Sequence, residues 1–236
     1  MSGNGAVRLV AGGTLGPRLS DDWDCNVYEV RGTDRTVMVD AGCGRGPVDP
    51  GGAGAVLLTH LHLDHSGGAA ALAGRGLRIL AHPWTAEALR TGDEDRAGLV
   101  LARDRGFYPP DASLSPVPSV EDIVEGEMLD LGGVTVTAVE TPGHSDGHHA
   151  FLVEERLGRR TLLAGDLVFP GGTIVLQPLP DCRLDLLWDS LLKARRLDAH
   201  DLAAGHGLPS TGGASPALDG AIAAFAGGGL PPQMGA

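Results

Sequence analysis

The sequence predicts one domain of α/β or α+β class, with helices flanking a sheet core. Short apolar runs of four to seven residues recur along the chain, and both halves mix them with helical stretches. Neither a linker nor a sequence repeat interrupts the pattern. A length of 236 residues suits one large domain with a substantial core.

Taken in order, Ala6–Val10, Asn26–Val30 and Thr36–Val39 read as strands. Gly42 to Gly54 is too rich in Gly and Pro for anything but a loop. Ala55–Leu58 reads as a short buried strand, Gly67–Ala73 as the first helix and Leu77–Ala81 as the next strand. Trp84 to Arg105 has no proline and is rich in Ala, Leu, Glu and Arg, so it reads as one or two helices broken near Thr91-Gly92. A Pro-rich loop follows from Phe107 to Pro118. Strands return at Val134–Glu140, Ala150–Val153 and Thr161–Ala164, then an amphipathic helix over Leu184–Leu197, a strand at Asp201–Ala204 and a helix at Pro216–Phe225. The tail from about residue 227 reads as loose.

The net charge of −12 is interspersed along the chain, with no basic stripe for a nucleic-acid backbone. Aromatic residues make up only 4%, which argues against a base-stacking surface. Cys25, Cys43 and Cys182 are odd in number and lack CxxC spacing, so free thiols in a reducing compartment are expected. Met1 to Gly13 lacks the features of a signal peptide, and no apolar run approaches the roughly 20 residues of a membrane span. The expectation is a cytoplasmic protein that binds neither membrane nor nucleic acid and acts on a small molecule.

The chemistry is concentrated at His60-Leu61-His62-Leu63-Asp64-His65, where four ligand-type side chains fall within six residues. Imidazole and carboxylate suit zinc, iron or manganese. Three further apolar runs end alike: Thr141-Pro142-Gly143-His144, Ala164-Gly165-Asp166 and Ala204-Gly205-His206. In each the strand stops, glycine lets the backbone turn and one ligand-type side chain follows. Such strand ends can converge on a site at a sheet edge.

In order and spacing these four motifs, from Thr59 to Gly68 and then to His206, resemble the metallo-β-lactamase-fold hydrolase superfamily. The resemblance runs from about Ala6 to about Phe225. It implies an α+β fold, a four-layer αβ/βα sandwich in which two sheets carry helices on both outer faces. It implies one domain over 1–236, with a helical lid or variable insert at about 84–118. It also implies that His60, His62 and His144 hold one divalent metal ion, that Asp64, His65 and His206 hold a second, and that Asp166 bridges them. The metals would be zinc in the first instance, with iron or manganese acceptable, and a hydroxide between them would be the nucleophile. Asp64 would also orient that hydroxide. The carboxylate at 166 points away from true β-lactamases and toward the glyoxalase II-like, lactonase-like and thioesterase-like branch. The short stretch from Asp166 to His206 points away from nucleases with an inserted domain. The 30 residues after His206 leave little room for the C-terminal helical region typical of glyoxalase II. Relatives usually place a helix between Asp40 and Ala55, where this chain has only a loop.

The expected activity is hydrolysis of a small-molecule thioester, lactone or other ester. The alternatives are an iron-dependent persulfide dioxygenase, whose resemblance rests on His60, His144 and Asp166, and a phosphodiesterase using the same two-metal site. Retention of all seven ligand positions argues against a metal-dependent binding protein that has lost catalysis. For substrate contact, His148, Tyr108 and Arg183 are weak candidates. His148 and His149 should point to opposite faces of a strand. Trp84, Phe107 and Tyr108 are read first as packing the lid onto the core, and His82 as a surface or capping residue.

Overall fold

The computed structural model describes residues 5–234. Among these, the chain forms two sheets. The first contains β1 (Val7–Ala11), β2 (Val27–Arg31), β3 (Thr36–Val39), β4 (Ala55–Leu57), β5 (Arg78–Ala81) and β6 (Glu121–Asp122), hydrogen-bonded in that order. β1, β2 and β3 pair antiparallel, and β3 to β6 run parallel. The second contains β7 (Met128–Asp130), β8 (Val134–Glu140), β9 (His149–Glu155), β10 (Arg160–Gly165) and β11 (Asp201–Ala204). Its strands are antiparallel except for the β10–β11 pair.

The sheets face each other across a core filled by the inward side chains of their central strands. In β3, Val37 and Val39 enter a core shared with Val136, Phe151, Val153 and Leu163 of the other sheet. Met38, between them, points outward with Val56 and Ile79 into a second core under α2 (Ala69–Gly74), α3 (Pro83–Thr91) and α4 (Leu99–Asp104). In β10, Leu163 faces inward while Leu162 and Ala164 face α5 (Leu184–Arg195) and α6 (Ala214–Ala226). The result is the expected four-layer sandwich. Strands covered on both faces read as continuous apolar runs rather than as alternation.

The helices follow from local chemistry. On α5, Leu187, Ser190, Leu191 and Ala194 are buried at helical spacing. α3 has Pro83 at its start, accepts a cap from His82, whose Nδ1 takes the Trp84 N–H at 3.0 Å, and stops at Gly92 with φ of 69°. His82 is thus a capping residue.

Three details differ from the sequence reading. The first helical turn, α1 (Leu63–Ser66), starts inside the His-rich segment, so Asp64 and His65 sit on helix rather than loop. β6 and β7 were not expected: both are short, mostly exposed edge strands without an apolar repeat, and backbone pairing alone defines them. The tail is tied down, because Ile174 N–H donates to Pro232 O at 3.0 Å, Met234 N–H to Ile174 O at 2.9 Å, and Leu176 N–H to the Gln233 side chain at 2.9 Å. Among the described residues no helix is long and apolar enough to cross a membrane.

Candidate metal centre

The ends of β4, β8, β10 and β11 meet at one edge of the sandwich. His60 and His62 follow β4, His144 follows β8, Asp166 follows β10 and His206 follows β11. All five are buried, and so is His65.

Proton accounting shows what the first group needs. His144 Nδ1 lies 3.2 Å from the Val175 carbonyl, which only accepts, so the ring proton is on Nδ1 and Nε2 carries a lone pair. The Thr59 hydroxyl donates to Asp40, whose oxygens lie 2.9 and 3.0 Å away. His60 Nδ1, at 3.0 Å, then donates to the Thr59 oxygen, which leaves His60 Nε2 bare. His62 Nδ1 sits 2.9 Å from His60 Nε2 and 3.0 Å from His144 Nε2. A single proton on His62 can satisfy only one of these two neighbours. The buried Nε2 of His62 has no partner either. Three converging imidazole nitrogens with at most one proton among them suit a cation.

The second group is built around carboxylates. His65 Nδ1 donates to Asp40 Oδ2 at 2.8 Å, which turns its unpartnered Nε2 toward Asp64 Oδ2 at 3.4 Å and Asp166 Oδ1 at 3.3 Å. His206 Nε2 lies 3.1 Å from Asp64 Oδ2 and 3.6 Å from Asp166 Oδ2. Asp166 Oδ2 is also 3.5 Å from His144 Nε2, so this carboxylate faces both groups. One donor atom each from His60, His62 and His144, and likewise from Asp64, His65 and His206, fall within 4.8 Å of one another.

The electrostatics match. Burial, followed by the neighbouring His144, holds His62 down at about 3, and burial lowers His60 and His144 as well. All three are neutral at neutral pH, the form that ligates. Burial pushes Asp64 and Asp166 up, but the facing histidines outweigh it and keep both below the usual carboxylate range. For His65 and His206 burial pulls down, yet the surrounding anionic groups, Asp64 and Asp166 among them, raise both. Without a cation these rings carry positive charge, and cation binding would release their protons.

The family model described as the metallo-beta-lactamase superfamily matches residues 20–206. The chain belongs to that superfamily. Among curated proteins it is similar to an atrochrysone carboxyl ACP thioesterase of Aspergillus fumigatus, at 33% identity over 152 residues, covering 64% of this chain and 38% of that one. It is also similar to an acyl-coenzyme A thioesterase of Gallus gallus, at 30% identity over 171 residues, covering 63% of this chain and 59% of that one. The chain therefore spans less than two thirds of the length of these relatives. A solved archaeal superfamily protein from Sulfolobus tokodaii superposes with a TM-score of 0.74 at 21% identity, covering 93% of this chain and 85% of that one.

The superfamily motifs thus bring all seven expected ligand positions together. The weaker candidates separate. Tyr108 reaches the site, where its hydroxyl donates to Asp64 Oδ1 at 2.6 Å. His148 does not face substrate: it is buried, its Nε2 accepts the Asp166 N–H at 3.1 Å, and its Nδ1 donates to Thr141 Oγ1 at 2.8 Å. It fixes the backbone that carries Asp166. Arg183 lies outside the cavity and pairs with Asp146 at 2.9 Å. Of the three aromatics read as packing, Trp84 and Tyr108 pack against the core, Trp84 with Arg96 stacked 4.6 Å over its ring. Phe107 and Tyr108 line the cavity beside the metal centre.

That cavity measures about 490 Å³. Leu15, Trp23, Phe107 and Val175 give it an apolar wall, and its acidic residues are Asp22, Asp24, Asp64 and Asp166; among the described residues no Lys or Arg lines it.

Asp40 and Thr59, which orient His60 and His65, have no site role in the sequence reading. A signal was present: β3 is an apolar run ending in Asp40-Ala41-Gly42, the same design as Gly165-Asp166 and Gly205-His206. A further cluster, His82, Glu140 and His149, also has donor atoms within 4.8 Å. Because His82 Nδ1 accepts the Trp84 N–H, the proton of its neutral ring sits on Nε2, 3.4 Å from Glu140 Oε1, and that nitrogen is not free to ligate.

Proposed function

We propose that the protein is a dinuclear metal-dependent hydrolase acting on a small acyl thioester. The observation that supports this reading is Asp166, whose Oδ2 lies near both His144 and His206 while its Oδ1 lies near His65, so that one carboxylate on the wall of the cavity faces both sets of ligand atoms. His60, His62 and His144 would hold one divalent cation, Asp64, His65 and His206 the other, with Asp166 shared. Zinc suits these donors first, and iron and manganese are acceptable. Two such cations supply an acidified water and polarise a carbonyl under attack.

The chain's own groups do the rest. Thr59 and Asp40 fix the tautomers of His60 and His65. Leu15, Trp23, Phe107 and Val175 exclude water from an acyl group seated against them. The Tyr108 phenol, held up by burial and then by Asp64, keeps its proton on Oη and donates it to Asp64. With no Lys or Arg on the walls, the cavity favours an uncharged acyl group and disfavours a phosphodiester at the reacting position. The thioesterase relatives support a thioester over a lactone. The group formed by Asp64, His65 and His206 supports hydrolysis over iron-dependent persulfide oxidation, for which the resemblance involves only His60, His144 and Asp166.

The test is a substrate panel of acyl thioesters, lactones, simple esters and phosphodiesters, run on chelated and metal-loaded protein. Thioester turnover should depend on added metal, and His62→Ala or Asp64→Ala should abolish it while the far-UV spectrum stays native. Full turnover by the metal-free protein would remove the reading.

A further inference from the structure

Asp64 divides its two oxygens between different tasks. Oδ2 lies 3.1 Å from His206 Nε2 and 3.4 Å from His65 Nε2, while Oδ1 accepts the Tyr108 hydroxyl at 2.6 Å. Among the described residues, Tyr108 is the one side chain that hydrogen-bonds Oδ1. A carboxylate without such a partner is free to turn about its Cβ–Cγ bond or to offer both oxygens to one cation. The Tyr108 bond removes that freedom, because turning would strand a phenol inside a partly dry cavity.

Tyr108 is not part of the metal-ligand framework. It lies 44 residues beyond Asp64 in sequence, on the loop after α4. That loop is held by local contacts: Phe107 N–H donates to Ala102 O at 2.8 Å, and Arg103 donates to Ala112 O at 2.6 Å. Over the cavity, the Tyr108 ring meets Trp23 from the loop between β1 and β2, with centroids 5.9 Å apart and planes inclined at 48°. Two loops that wall the substrate cavity therefore meet at the ring whose hydroxyl holds Asp64.

We propose that Tyr108 is a positioning residue that fixes Asp64 as a one-oxygen ligand and thereby couples the seating of segment 105–112 to occupancy of the Asp64–His65–His206 cation site. The proposal rests on the dinuclear reading above. Coupling of this kind is reciprocal: a seated loop tightens the second cation, and the second cation protects the loop. Among the described residues, His60, His62 and His144 make no hydrogen bond to Tyr108, and the first cation site would share only Asp166 with the second.

The experiment uses Tyr108→Phe, which keeps the ring, the Trp23 contact and the cavity wall and removes one hydroxyl. Two zinc affinities are measured by competition with a chromophoric chelator, and amide exchange of residues 105–112 is followed at zero, one and two equivalents. In the wild type the second equivalent should slow exchange in that segment. In Tyr108→Phe the tighter affinity should be unchanged, the weaker one should fall at least about tenfold, and the second equivalent should no longer protect the loop. Equal weaker affinities in the two proteins would overturn the proposal, as would loop protection that ignores the second equivalent. A wild type that binds no zinc removes the dinuclear reading and this proposal with it, whereas a wild type that binds two equivalents and a variant that matches it removes the proposal alone.

Discussion

Replacing Asp40 with Asn isolates the part that an unseen second layer plays in the metal centre. Asp40 Oδ1 accepts the Thr59 N–H at 2.7 Å, and Oδ2 accepts His65 Nδ1–H at 2.8 Å. Asparagine keeps the shape, and it tolerates the left-handed backbone that Asp40 adopts, with φ of 66°. Its amide oxygen can still serve the Thr59 N–H. Its NH2 group then faces His65 Nδ1 as a donor, so Nδ1 must give up its proton and accept, which leaves the ring's one proton on Nε2. That nitrogen is the one aimed at Asp64 and Asp166. A lost charge-assisted hydrogen bond is worth about 1.5–3 kcal/mol. Removing such an orienting group typically costs roughly 10–100-fold in metal affinity, or about 1.4–2.7 kcal/mol. The assay is zinc competition with a chelator, combined with nitrogen NMR of the histidine rings to read the tautomer of His65. The expected result is a weaker second zinc with the first unchanged, and a metal-free His65 that is neutral with its one proton on Nε2 in the variant, where the wild-type ring carries protons on both nitrogens. An Asp40→Asn protein that binds both ions at wild-type affinity would refute the reasoning.

Two other outcomes follow from packing and charge. A methyl group added at Gly205 would run into Asp166 Oδ1 and His65 Cε1, so Gly205→Ala should fold with the same sheet content but lose the second zinc and nearly all turnover; metal analysis and circular dichroism check this. In metal-free protein, buried His149 has no hydrogen-bond partner on either ring nitrogen, and burial, then His82 and Lys193, hold it down at about 3. Its folded value lies below the ordinary 6.5, so its contribution is fully present above pH 6.5 and is lost as pH falls toward about 3, where the unfolded chain takes up a proton that the native protein refuses. His149 alone should contribute up to about 1.4 kcal/mol per pH unit to a slope that His60, His62 and His144 share, and His149→Phe should lower the slope by that amount in urea unfolding between about pH 6 and pH 4. An unchanged slope would mean that His149 is not neutral and buried.

Much of the fold was legible because apolar content and turn residues are local. β3, β8 and β11 lie where the runs Thr36–Val39, Val134–Glu140 and Asp201–Ala204 place them, and Gly92 ends α3 near the expected break. The edge strands β6 and β7 were not legible, since they exist only as partners of β5 and β8. Within the centre, His60, His62, Asp64 and His65 stand out by density, and His144, Asp166 and His206 by the Gly-turn design. Asp40 shares that design but not the histidine-rich context, and nothing local says that it faces His65.

The sequence by itself determined the layered sheet-and-helix architecture, the superfamily and the seven side chains with metal-ligand chemistry, because each is written in short runs and spacings. Only the tertiary structure decided which groups orient those side chains and which wall the cavity. Asp40 meets His65 across 25 residues of chain, Tyr108 meets Asp64 across 44, and His148 holds the backbone of Asp166 across 18. Such contacts arise where strand ends and loops from different elements are brought to one edge, and no local pattern encodes that meeting.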